Sequence, residues 1–78
     1  MARIRSMTKG QEGSGSPHPT EVDCTWQVIS GPGGEKLLQL STYGSDHRQS
    51  EPKVSQTIQI GREAAAELVV RLNETFGF

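Results

Sequence analysis

Residues 22–42 read VDCTWQVISGPGGEKLLQLST, and this stretch decides the fold. Val22–Ser30 is rich in β-branched and aromatic residues, the composition of a strand. Gly31-Pro32-Gly33-Gly34 interrupts it, because Pro cannot donate to a ladder and Gly reaches positive φ, which together make a hairpin turn. Lys36–Thr42 resumes as a second strand. Downstream, a polar loop runs from Tyr43 to Pro52, and Lys53–Ile60 (KVSQTIQI) alternates as a third strand that Gly61 ends. From Arg62 to Phe76 the apolar residues fall at 65, 68, 69, 72 and 76, one stripe of an amphipathic helix. Gly77 follows where a helix end favours left-handed backbone.

Period two assigns the strand faces. Trp26, Val28, Leu38, Leu40, Val54, Ile58 and Ile60 share one apolar side, with Cys24 among them and Gln56 intruding. Together with Leu68, Leu72 and Phe76 they form the expected core, with the helix laid across that side. The predicted fold class is therefore α+β, a three-stranded antiparallel sheet with one C-terminal helix packed on one face. Ten large side chains make a thin core for the length of chain to be ordered, so a second copy is an expected partner.

Upstream, residues 8–20 (TKGQEGSGSPHPT) are Gly, Ser, Pro and polar without a hydrophobic period. The expected organisation is a disordered leader over 1–21 and a β-β-β-α domain over 22–78. Met7 is a second candidate start. Composition excludes several classes. Only 32% of the 78 residues are hydrophobic, against the usual 45–50% or so, and no run approaches the ~18 apolar residues of a membrane span. No apolar run follows the basic start, so no signal peptide is read. The single Cys24 has no internal partner for a disulfide, which fits a reducing cytoplasm. Residues 1–20 hold three bases against one acid, whereas 21–78 hold five bases against eight acids. A domain that lived on phosphate contacts would carry the opposite balance.

Nothing in the sequence has the spacing of catalytic machinery. Cys24 has no basic neighbour and alternates with Trp26, the pattern of a buried thiol. Asp46-His47-Arg48 reads as a solvated loop. His18 lacks a metal-spaced partner. Gly31–Gly34 lacks the Lys-Ser/Thr of a phosphate loop and leads into a strand. No enzyme, metal or cofactor is expected.

The polar sheet face is the more informative one. Thr25, Gln27, Gln39, Ser41, Ser55, Thr57 and Gln59 are polar yet uncharged, whereas a merely solvated face usually carries Lys and Glu. Amides and hydroxyls bond a partner without the cost of desolvating a charge. The adjoining segment 43–53 holds the only Tyr together with Arg48 and Lys53, and Tyr and Arg dominate binding hot spots. The candidate partner-binding residues are therefore Tyr43, Ser45, Arg48, Lys53, Ser55, Gln56, Gln59 and Gln39. A protein partner or a second copy is the first expectation. The alternative is single-stranded nucleic acid, with Tyr43 stacking on a base, Arg48 and Lys53 reaching phosphate, and Gln39, Ser55 and Gln59 on the sheet. The bland reading, a solvated face and an ordered loop, stays open beside both.

The run Leu38-Gln39-Leu40-Ser41-Thr42-Tyr43-Gly44-Ser45, then Arg48, then Lys53-Val54-Ser55-Gln56-Thr57-Ile58-Gln59, resembles a group of small, mostly uncharacterised bacterial proteins. They share a T-Y-G-S-x-x-R stretch, a K-x-S-Q-x-x-Q strand and a closing amphipathic helix. The resemblance covers about residues 24–76. It implies the domain boundaries and an interest in Tyr43, Ser45, Arg48, Ser55, Gln56 and Gln59, but no activity. The strand-strand-strand-helix order is also similar to transcriptional coactivator domains that bind single-stranded DNA on a curved sheet and dimerise by their helix. This chain departs from them in having three legible strands where they have four, and in lacking their basic and aromatic density.

Overall fold

The computed structural model describes residues 1–13, 15–44 and 53–78. Four strands, β1 (Ala2–Ile4), β2 (Cys24–Ser30), β3 (Lys36–Tyr43) and β4 (Val54–Ile60), precede one helix, α1 (Arg62–Phe76). The α+β class, the hairpin, and the helix with its ends follow the sequence expectation. The sheet does not. It is four-stranded and mixed, in the order β1-β4-β3-β2, rather than three-stranded and antiparallel. The extra strand comes from the segment expected to be a disordered leader. Ala2, Arg3 and Ile4 run parallel to β4 opposite Ile58, Gln59 and Ile60. Three residues are too short to show a period, so only tertiary pairing reveals them. They satisfy backbone groups that β4 would otherwise leave open at its outer edge.

The β2–β3 hairpin turns through a short 3-10 segment, Pro32–Gly34. Gly31 N–H donates to the Glu35 carbonyl at 2.6 Å, and Gly33 and Gly34 both sit at φ +84°. Only glycine enters that region without strain, which explains the Gly pair after Pro32. At the other end of the sheet the register breaks. Thr42 pairs with Gln56 but Tyr43 pairs with Val54, so Ser55 is skipped. This bulge sets Val54 opposite Tyr43 and takes it out of the apolar rows to which simple alternation assigns it.

Two apolar rows cross all four strands. One is Trp26-Leu40-Ile58-Ala2, the other Val28-Leu38-Ile60-Ile4. Burial concentrates where β4 hands over to α1. Ile60 is 4% exposed and Leu37, on the opposite face, 6%, and Ala64 in the first helical turn is the third buried apolar residue. A Cβ at Gly61 would lie 3.5 Å from Leu37 Cδ2, so the chain passes closely over that leucine as it enters the helix.

Away from this end the expected core is open. Trp26 is 70% exposed, and Val28, Leu38 and Ile58 are exposed with it. The helix makes only sparse contact with the strands. Its covered stripe is Ala64, Ala65, Leu68 and Leu72, leaving Val69 and Phe76 in solvent rather than in the core. Cover falls on the opposite face, where Leu37 and Ser41 are buried, and not on the apolar face across which the sequence expectation lays the helix. Arg71 joins Glu67 (3.2 Å) and Glu74 (2.9 Å) on the solvent side, and Gly77 closes the helix in left-handed geometry with its N–H on the Asn73 carbonyl.

Deleting residues 1–6 should strip β1 from β4 and expose Ile60. A loss of roughly 1–2 kcal/mol corresponds to a fall in melting temperature of about 4–16 °C for a domain this small. Differential scanning fluorimetry of the two chains measures it, and an unchanged midpoint contradicts the pairing.

Candidate functional site

The polar face is built from rows at the same register as the apolar ones. Gln27, Gln39, Gln59 and Arg3 cross the four strands in one line, and Thr25, Ser41 and Thr57 cross three strands in the next. Their side chains bond one another. Gln59 Nε2 donates to Gln39 Oε1 at 2.8 Å, Ser41 Oγ lies 3.4 Å from Thr57 Oγ1, and Thr25 Oγ1 lies 3.0 Å from the Tyr43 hydroxyl. Such cross-strand pairs are the unit of sheet stabilisation. Along the central strand this face is well covered: Leu37 and Ser41 are buried and Gln39 and Tyr43 half-buried.

The candidate residues therefore separate into groups. Gln39 and Gln59 come together, but on each other. Tyr43 ends β3 with its backbone N–H on the Asp23 carbonyl at 3.1 Å and its hydroxyl on Thr25. Ser55 is the bulged residue and is exposed, as is Lys53, whose carbonyl accepts from Gly44 N–H at 3.2 Å. Gln56 pairs with Thr42, in line with the apolar side of the sheet and away from the others. Ser45 and Arg48 lie outside the described residues, as do Asp46 and His47.

Cys24 corrects an expectation. It is exposed at the start of β2, with Sγ donating to the Thr25 carbonyl at 3.5 Å, because the face it belongs to has no cover. His18 accepts from Thr20 N–H at 3.1 Å in the leader. Among the described residues no three His, Cys, Asp or Glu side chains gather as a metal site, and no helix is long and apolar enough to cross a membrane.

Two clefts flank the helix. One, of about 1040 Å³, is lined by Arg3, Arg5 and Arg62 together with Glu35 and Glu63. Its three bases outnumber its two acids by one, and Arg3 already reaches Glu35 at 3.4 Å. The other, about 310 Å³, sets Met7, Thr8 and Lys9 beside Glu67, Arg71 and Glu74, so the chain after β1 runs past the helix.

The surface that alternation alone would have hidden is the apolar one. Trp26, Val28, Leu38 and Ile58 lie adjacent in register on three neighbouring strands and are all exposed. Scattered exposed apolar residues are ordinary; these four are neighbours on one face. Compared with family models, with curated proteins and with solved structures, the chain matches none at a significant level.

The Gln39–Gln59 pair can be apportioned by a double-mutant cycle. Gln39→Ala, Gln59→Ala and the double variant should give a coupling of about 0.5–1.5 kcal/mol in urea unfolding. A coupling of zero means that the amides do not bond in solution.

Proposed function

We propose that this chain is a small non-enzymatic binding and oligomerisation module whose working surface is its sheet. The observation that carries this reading is the bare apolar patch of Trp26, Val28, Leu38 and Ile58. A sheet this thin gains from burying that patch against another protein, at about 25 cal/mol per Å² of apolar surface removed from water. Trp26 has the features of an interface anchor: large, rigid, and flanked on its own face by aliphatic side chains. The polar face serves the same end from behind. Its hydroxyl and amide bonds hold three strands in one register, so that the patch is presented on a firm backing.

A partner is also reached from the rim. Tyr43, Lys53, Ser55 and Gln56 stand at the end of the sheet beside the patch and supply polar contacts there. Arg48 and Ser45 belong to the same loop in sequence. The nucleic-acid alternative needs the Tyr43 ring free to stack and bases around it. In this structure the Tyr43 hydroxyl is tied to Thr25, and the exposed side chains at the centre of the sheet are apolar.

Two measurements test the reading. A photo-crosslinking amino acid at position 28, on the apolar face, should yield a protein adduct in the cells that make the chain, whereas the same group at position 27, on the polar face, should not. Absence of an adduct from position 28 removes the proposal. A labelled single-stranded oligonucleotide at low salt should show no binding. Salt-dependent binding that weakens in Lys53→Ala would instead favour the nucleic-acid alternative.

A further inference from the structure

We propose that the occupant of the apolar face is a second copy of this chain, the two sheets packing face to face about a two-fold axis, with Trp26, Val28, Leu38, Leu40 and Ile58 of each copy in the seam. This rests on the binding-module reading and names its partner.

The first argument is area. The chain exposes 6961 Å². A compact folded monomer of 8.5 kDa exposes about 4,700 Å². Part of the difference, about 2,300 Å² by that relation, belongs to the exposed stretch between β1 and β2, and the rest includes the uncovered apolar face, which is the surface a second copy can bury. Burial agrees: among the described residues no side chain is fully buried. A unit that cannot complete a core alone needs a partner that is always present when it folds, and a second copy is that partner.

The second argument is self-complementarity. A two-fold interface places one patch against itself, so any charge on it meets its own kind. The two apolar rows, with Cys24, Thr42 and Gln56 beside them, contain no ionisable carboxylate, amine or guanidinium. Lys36, paired with Ser30 in the next row, is the nearest charge on that side and stands at the turn end of the hairpin, so two copies centred on Trp26 and Leu40 keep it at the rim.

The third is the contrast between the two sheet edges. β1 ends the sheet with three residues that include Arg3, the short basic form of edge that resists association. β2 ends it with seven residues, Cys24–Ser30, without charge or proline. The unguarded edge borders the bare part of the face, so both features leave the same side of the molecule open.

Sedimentation equilibrium of the full chain over a range of concentrations decides the matter. The expected result is a species of twice 8.5 kDa, with Trp26 fluorescence moving to longer wavelength as dilution separates the copies. Trp26→Ala should raise the dimer dissociation constant about 100-fold or more, whereas Gln27→Lys, on the same strand but the other face, should leave it unchanged. Should Trp26→Ala fail to fold, the melting temperature of the unaltered chain still reports, because it must rise with protein concentration if the folded unit is a dimer. A single 8.5 kDa species at every concentration overturns the proposal. So does a dimer that survives Trp26→Ala but is lost in Gln27→Lys. A monomer whose position 28 crosslinks to a different protein also overturns it, while leaving the binding-module reading standing.

Discussion

The fold hangs on the place where β4 becomes α1. Ile60 points to one face of the sheet and Leu37 to the other, yet both are buried where the chain passes beside Leu37, at the start of β3, and enters α1, with Ala64 buried in the first helical turn. β1 and β3 both attach to this corner. β1 pairs alongside it through Ile4 and Ile60, and β3 reaches it through the Leu38–Ile60 and Gln39–Gln59 pairs. The hairpin then carries β2 outward to a region where backbone hydrogen bonds persist but apolar cover does not. Cohesion grades across the sheet from a packed corner to a bare edge, and the surface available to a partner lies at the bare end of that gradient.

Much of this architecture is legible in the amino-acid order. The GPGG break, the alternation of the three longer strands and the 3.6-residue period of the helix are local signals, and local signals locate elements well. What escapes is whatever depends on distant pairing. Ala2-Arg3-Ile4 has no signature of its own and becomes a strand only because β4 has an open edge. Skipping Ser55 reverses the side taken by Val54, and nothing in KVSQTIQI announces the skip. Burial is the largest departure. Val54 aside, alternation tells which residues share a face, but it does not tell which of the two faces the rest of the chain covers. Trp26 and Cys24 are exposed because theirs is the uncovered one. Of the candidate contact residues, Gln39, Gln59 and Tyr43 are found bonded within the polar face, a pairing the sequence could suggest only once the register was known.

The two faces thus exchange the roles that composition alone suggests. Uncharged polar side chains on a sheet invite the idea of a contact surface. Here Gln39 bonds Gln59, Ser41 bonds Thr57 and Thr25 bonds Tyr43, and these pairs support the strand register. A polar network that is internally satisfied has little left to offer a visitor. The apolar face has every reason to accept one.

The parallel pairing of β1 has a consequence for how the sheet assembles. Ala2 lies opposite Ile58, so β1 finds its place only by closing a loop that contains β2, β3 and most of β4. Closing so long a loop is the slowest kind of step for a small protein. The hairpin of β2 and β3 forms from neighbours and needs no such delay. β1 is thus the strand whose pairing costs the most loop-closure entropy, and the hairpin is the pairing that costs the least.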